Sequence, residues 1–476
     1  MAGRHGRVGV AALVGMMLLA ASGCASSGGM PSEPSAFPTD GAGRALVLHG
    51  VNVASGAKYD ERRLPWVERD DVLRIRRDWG FNFVRYLVLW DGVEPEPGVY
   101  DESYLDAIQE RLDWFAEAGI FVVLDMHQDG WSLSFGMPLD GAPAWACITD
   151  GLPNIHFDTW ELNNASPAVV RAVDNFFEYD GDHPELQDHY AAMWAHLAER
   201  FRDHPAVLGY EIMNEPFSPH WLVDPYAWDR GRLQPFYQRV IDAIRTVDSD
   251  GWIFYEPTAF LVSDGWPQYL GRLDDPRAGS PRLAYFPHEY SLAAIYTPDD
   301  RARLDAFLER FETNRRADRE AYGHPIFIGE FGAAASTATG ADFLFDQLAM
   351  FDRLQAGWTF WSHDRPGLLV DGENRETTEA ALLVRAYPQR VAGEPLRWSF
   401  DPATRVLELE FRDRAGASGT TEIYVPEARL YPDGWDLIVS DTEGSWSSEW
   451  DATREVLSLT TPQTRASHVV RVAPKS

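Results

Sequence analysis

Two glutamates stand where apolar runs of strand type come to an end. Tyr210-Glu211-Ile212-Met213-Asn214-Glu215-Pro216 leads to Glu215, and Ile326-Phe327-Ile328-Gly329-Glu330-Phe331-Gly332 carries Glu330. A strand buried on both faces accommodates a carboxylate only where it emerges into a pocket or finds a partner. Two carboxylates facing each other across a pocket are the minimum apparatus for hydrolysing a glycosidic bond, with retention of configuration at a separation of roughly 5 Å. One attacks the anomeric carbon while the other protonates the departing oxygen and later deprotonates water. Arg85, in Val84-Arg85-Tyr86, is a cation able to keep one of them ionised. We pair it with Glu330 as nucleophile and take Glu215 as acid/base, with Asn214 free to hydrogen-bond the sugar 2-hydroxyl.

Such a pair needs a scaffold that brings a mid-chain and a late segment to one rim. Strand-like runs occur at Leu46–Val53, Phe83–Trp90, Ile120–His127, Val207–Asn214, Trp252–Pro257, Leu283–His288, Ile326–Glu330 and Trp358–His363. Amphipathic helical patterns at Tyr104–Ala118, Glu185–Phe201, Gln234–Val247, Arg301–Ala321 and Phe343–Leu354 lie between them. This alternation predicts an α/β fold, a (β/α)8 TIM barrel over residues 44–391, with Glu215 ending the fourth strand and Glu330 the seventh. A doubly wound open sheet is the alternative, weakened by the lack of a Gly-rich phosphate loop after the first strand. Residues 392–476 change to alternating segments such as Val406–Phe411 and Thr421–Val425, which predict a small C-terminal β-sandwich. Its default role is a brace for the barrel, with membrane approach and carbohydrate binding as alternatives. Two long excursions follow strands and so belong to the catalytic rim, Gln128–Pro184 and Phe217–Leu233. Trp131, Leu133, Phe135, Met137, Leu139, Trp145, Ile148 and Leu152 in the first, and Phe217, Trp221, Leu222 and Val223 in the second, make either a small core for each loop or an apolar wall beside the site.

The 476-residue chain has room for one large catalytic domain and a smaller one. A formal charge of −31 argues against nucleic acid as a partner and mildly favours neutral ligands over anionic glycans or membranes. Lys58 and Lys475 are its only lysines, which singles out Lys58, just after the first strand. Residues 1–24 read as a signal peptide: Arg4 and Arg7, then an apolar stretch from Val8, then Ala21-Ser22-Gly23-Cys24, similar to a lipobox with Cys24 lipidated. Residues 25–43, rich in Ser, Gly and Pro, read as a flexible tether. The expectation is therefore an exported bacterial protein, a cell-surface lipoprotein or secreted, and a monomer. With Cys24 lipidated, Cys147 is left single, a buried or loop thiol with no catalytic role.

Asn214-Glu215-Pro216 and Gly329-Glu330-Phe331-Gly332 resemble the acid/base and nucleophile motifs of the clan A glycoside hydrolases, within family five. Arg85, His127, His288, Tyr290 and Trp361 fall where that family places its other active-site residues. The resemblance implies that the histidines and Tyr290 orient sugar and nucleophile and that Trp361 floors the reacting ring. Across residues 45–476 the chain most resembles the bacterial endoglycoceramidases, on His49-Gly50-Val51-Asn52-Val53 followed by Lys58, and on Leu124-Asp125-Met126-His127-Gln128-Asp129-Gly130-Trp131. The likeness carries Lys58 and Asp129 over as sugar contacts. It implies hydrolysis of the β-linkage between oligosaccharide and ceramide in a glycosphingolipid at a membrane or micelle surface, releasing both intact, with no metal and no cofactor. The rim loops would then receive the ceramide. A polysaccharide endoglucanase of cellulase type, a β-glucosidase or galactosidase acting on simple glycolipids or steryl glucosides, and a catalytically dead glycolipid-binding lipoprotein are the competing readings. The last would normally have lost a carboxylate, and both are kept here.

Overall fold

The computed structural model describes residues 35–54, 56–136, 139–158, 160–178, 180–335, 337–464 and 467–475. The signal peptide, Cys24, residues 25–34 of the tether and Met137 lie outside them. An 8-stranded parallel sheet runs through His49–Val53, Phe83–Leu89, Phe121–His127, Val207–Glu211, Trp252–Tyr255, Leu283–Tyr285, Phe327–Phe331 and Gly357–His363, which we call barrel strands one to eight. Strand one pairs with strands two and eight, and the parallel bridges Tyr285–Ile326 and Glu289–Phe331 close strand six on strand seven. All eight expected strands are present. The fourth is shorter than expected: it ends at Glu211, so Glu215 lies in the loop beyond it.

The expected helices are present as Glu102–Ala118, Glu185–Phe201, Gln234–Arg245, Arg301–Tyr322 and Ala338–Leu354. The first shows the local logic. Asp101 caps it by accepting from the Ser103 and Tyr104 amides, Gly119 at φ 69° ends it, and Leu105, Ile108, Leu112 and Phe115 form its buried stripe. No described helix lies between strands five and six.

Period-two alternation divides each strand between two environments. Val84, Tyr86 and Val88 pack outward with the helices, and Tyr86 meets Phe115 edge-on. Phe83, Val123, Phe254, Phe286 and Phe327 form a separate apolar cluster that plugs the barrel. Two residues further along the same inward face come Arg85, Asp125, Glu256 and His288. The plug thus supports a polar layer directly above it.

The C-terminal domain is a pair of antiparallel sheets, one of 5 strands and one of 4. It starts earlier than expected, because Tyr387–Val391 pairs with Thr421–Tyr424 and recruits Ala45–Leu46 to its other edge. Residues 35–43 also depart from the tether reading. Ser35 Oγ and the Ala36 amide donate to Glu394, and Phe37 is buried against Trp398. The sandwich grips the barrel at the N-terminal end of strand one, opposite the catalytic rim. His49 stacks between Trp358 and Tyr387, Tyr387 Oη donates to the Gly80 carbonyl, and buried Asp352 pairs with Arg385 and accepts from Trp398 Nε1. These contacts fit the role of a brace.

Candidate active site

Arg85 is the hub. Fully buried, its guanidinium sends Nε and Nη2 to Glu211 at 2.6 and 2.9 Å, Nη1 to Glu330 at 2.6 Å and to Asn52 Oδ1 at 3.1 Å, and Nη2 to Asn214 Oδ1 at 2.7 Å. Asp125 Oδ2 lies 3.0 Å from Nη2, and Glu256 Oε1 is 3.7 Å away. A planar cation with five donors suits this task; a lysine would serve one or two of these partners.

Glu330 sits within strand seven and is 5% exposed. Besides Arg85 it accepts from Tyr290 Oη at 2.8 Å. Glu215 faces it from the loop after strand four. One carboxylate oxygen of each, together with a nitrogen of His288, all lie within 4.8 Å of one another. Glu215 has φ 41°, in the left-handed region that a non-glycine residue adopts at a cost of about 1–3 kcal/mol. Its surroundings hold it there. Gln128 Nε2 donates to the carbonyls of Asn214 and Glu215, the Asn214 amide donates to the Met126 carbonyl, and the Glu215 amide donates to Glu256 Oε1.

His288 joins the two sides, with Nδ1 2.9 Å from Glu215 Oε1 and Nε2 3.2 Å from Glu256 Oε1. Gly329 makes room for its ring, since a Cβ there would sit 3.0 Å from two ring atoms. Opposite lies a second polar group. Lys58, in the short helix Gly56–Tyr59, pairs with Asp129 and stands 4.8 Å over the Trp361 ring. His127 Nδ1 meets Asp125 Oδ2 at 2.8 Å, and its ring stacks with that of Trp361 at 5.7 Å. Arg85, Asn214, Glu215, His288, Tyr290 and Glu330 are thus linked in one network, and His127, Lys58, Asp129 and Trp361 form a second group joined to it through Asp125. Asn214 is less free than expected: its oxygen is taken by Arg85 and one amide hydrogen by the Gln128 carbonyl, leaving a single donor.

Burial and neighbouring charges set the protonation of these groups. Burial holds Asp125 and Glu256 well above the ordinary carboxylate range, only partly offset by Arg85 and His288 respectively. Burial also pushes His288 down, but Glu256 and Glu330 prevail and hold it well above an ordinary imidazole, as a cation. Burial lifts Glu330 above its usual value against His288 and Arg85, with Glu215 adding to the lift. His127 goes the other way, kept neutral by burial and by Lys58.

A model described as Cellulase (glycosyl hydrolase family 5) matches residues 40–366, and the Glycoside hydrolase family 5 C-terminal domain matches residues 385–473. The chain belongs to glycosyl hydrolase family 5. It is 38% identical to endo-glycoceramidase II from Rhodococcus sp., covering 93% of this chain and 100% of that one with a TM-score of 0.86. Structures of that relative include a ganglioside GM3 complex and a lactosyl-enzyme intermediate. Endoglycoceramidase I of Rhodococcus hoagii is 30% identical, over 84% of this chain and 80% of its own length. An endogalactoceramidase structure is 25% identical with a TM-score of 0.72, covering 93% of this chain and 99% of that one.

In this family 5 hydrolase, sequence reasoning missed Asp125, Glu211, Glu256 and Gln128. Three of them carried a readable signal. Asp125 within strand three, Glu211 at the end of strand four and Glu256 just past strand five are lone acids in otherwise apolar runs, on the inward parity of Val123, Gly209 and Phe254. Gln128 is a loop residue whose carbonyl-pinning role no pattern announces. Among the described residues, His127/Asp129/Asp140, Glu211/Glu256/His288 and Glu215/His288/Glu330 are close enough to share a metal ion. Each group has a carboxylate already paired with Lys58 or Arg85, so a divalent ion would meet a fixed positive charge.

The rim loops divide. Trp131, Phe135, Leu139 and Trp221 are buried, and Trp131 packs on Trp90 and Phe176, so much of the first excursion is its own core and not a wall. Leu222 and Val223 after strand four, and Ile295 and Tyr296 after strand six, are exposed at 62%, 85%, 60% and 75%, apolar side chains on the loops that also carry Glu215 and Tyr290.

Proposed function

We propose that this chain is a retaining endo-β-glycosidase that cuts glycosphingolipids between oligosaccharide and ceramide, with Glu330 as nucleophile and Glu215 as acid/base. The observation that carries the reading is the facing pair itself, with carboxylate oxygens within 4.8 Å of each other. That is the spacing of double displacement, too short for a water to sit between them in line.

In the first step a Glu330 oxygen bonds to the anomeric carbon while the bond from that carbon to the ceramide oxygen breaks. The proton of Glu215 goes to the departing oxygen, so ceramide leaves as the neutral alcohol. Arg85 and Tyr290 hold the attacking carboxylate in place and favour its ionised form. In the second step Glu215 takes a proton from water, the hydroxyl oxygen bonds to the anomeric carbon, and Glu330 departs as carboxylate. The remaining amide hydrogen of Asn214 donates to the sugar 2-hydroxyl in this reading, a bond that strengthens as charge develops. Trp361, Lys58, Asp129 and His127 receive the reacting sugar. The exposed side chains of Leu222, Val223, Ile295 and Tyr296 receive the lipid. The names of the relatives, and the GM3 and lactosyl states of one of them, support the lipid-linked substrate.

The same reading includes export and a lipid on Cys24 that keeps the enzyme at a membrane, both supported by the sequence of residues 1–24, and action as a monomer. Incubation with lactosylceramide in detergent, read by mass spectrometry, tests the substrate. Intact lactose plus intact ceramide is the expected result. Release of galactose alone, or cleavage only of a soluble β-glucan, overturns it.

A further inference from the structure

Glu289 lies between two residues of the site, His288 and Tyr290, yet its side chain takes no part in their contacts. Its amide donates to the Glu330 carbonyl at 2.8 Å, and its bridge to Phe331 helps to close the barrel between strands six and seven. The side chain is 0% exposed and meets Gln347 of the helix Ala338–Leu354, whose Nε2 donates to Glu289 Oε2 at 2.5 Å. Among the described residues, two oxygens here have no hydrogen-bond partner, Glu289 Oε1 and Gln347 Oε1.

An ionised carboxylate would leave both unsatisfied where no water reaches, and groups of that kind are rare in native interiors. A single proton satisfies both: the carboxyl O–H donates to Gln347 Oε1 while the amide donates back to Oε2. Among the described residues, no cation acts to offset a charge here. The charged group acting on Glu289 is Asp264 of the loop after strand five, which is itself paired with Arg310, and Glu330 lies across the backbone. Burial, with Asp264 adding to it, holds the Glu289 carboxyl well above the ordinary carboxylate range.

We propose that Glu289, carried as the neutral acid in a reciprocal pair with Gln347, is a positioning residue that locks the Pro287–Tyr290 segment onto the helix behind it. It thereby sets His288 and Tyr290 against Glu330. The kinetic arm of the test rests on the glycosidase reading; the thermal arm does not.

Glu289→Gln keeps the shape and pairs with Gln347 amide to amide without needing a proton. Glu289→Ala removes the lock. On an aryl β-lactoside, Glu289→Gln should retain kcat within about twofold, whereas Glu289→Ala should lose roughly ten- to a hundredfold, the scale of a slightly misplaced catalytic group. The thermal arm follows from linkage: an acid held neutral when folded but free to ionise when unfolded loses its stabilising contribution as pH rises above its ordinary value of 4.5. The Tm of Glu289→Gln should therefore gain on wild type as pH increases from there. A Glu289→Gln variant as impaired as Glu289→Ala, or a Tm difference that does not grow with pH, overturns the proposal. Should Glu289→Ala not fold, Glu289→Gln carries both arms alone. A wild type that leaves the lactoside uncut counts against the glycosidase reading, and the thermal arm still decides the proton.

Discussion

Replacing Tyr290 by Phe removes one hydroxyl, and the site makes its consequence calculable. That hydroxyl donates to Glu330 Oε2 at 2.8 Å in a buried setting. A hydrogen bond to a charged group contributes about 1.5–3 kcal/mol, so its loss weakens the hold on the ionised Glu330 carboxylate by that order and raises its pKa further. Arg85 Nη1 remains at 2.6 Å on the other oxygen, which places the loss at the lower end of that range. The sign is fixed by chemistry. The donor favours the ionised carboxylate, so without it Glu330 stays protonated to higher pH. Burial has already lifted Glu330 above its ordinary value of 4.5, so the acid limb of kcat/KM starts above that value in wild type and moves further up in the variant. Steady-state kinetics across pH on an aryl β-lactoside measure it. An acid limb that stays put, or moves down, refutes the claim that Tyr290 holds an ionised nucleophile.

Glu330→Gln should lower kcat by about four orders of magnitude or more while the fold persists, as expected when a covalent nucleophile is removed. Glu215→Gln should retain more activity on aryl glycosides with acidic leaving groups than on glycolipids, since only the latter need a proton; a loss independent of leaving group would deny Glu215 that role. Asp352→Ala should destabilise the junction of barrel and sandwich by about 3–5 kcal/mol, because Arg385 would be left buried without its partner; a denaturant midpoint like that of wild type would show that the sandwich is not a brace. Leu222→Asp with Val223→Asp should raise KM for micellar glycolipid roughly tenfold or more, given about 1.5–3 kcal/mol for burying one such side chain. Soluble aryl glycosides should be unaffected, and equal losses on both substrates would exclude a lipid-contacting edge.

The barrel was legible because its strands are buried on both faces and so read as uninterrupted apolar runs between amphipathic helices. The facing glutamates were legible for the complementary reason, that a carboxylate in such a run needs an explanation. Applied evenly, that logic would have found Asp125, Glu211 and Glu256 too, each a lone acid on the inward parity of its strand. Tertiary contacts decided the rest. Residues 35–43 have the composition of a tether, but Phe37 finds Trp398 and Glu394 collects Ser35 and Ala36. Asn214 is committed to Arg85 and Gln128 through partners that no local pattern shows. Trp131 and Leu222 look alike in sequence, yet one is buried in the core of its loop and the other stands in solvent. The left-handed backbone at Glu215 is likewise invisible to propensity, being imposed by hydrogen bonds from Gln128 and to Glu256.

The measurement that tests the central claim most directly is the anomeric form of the glycan at the moment of release. Proton NMR on lactosylceramide in deuterated detergent, recorded before mutarotation, distinguishes the two outcomes. Carboxylate oxygens within 4.8 Å predict that β-lactose accumulates first and converts slowly to the equilibrium mixture. Initial accumulation of α-lactose would contradict the account, because inversion needs a water between two carboxylates that stand too close together to admit one.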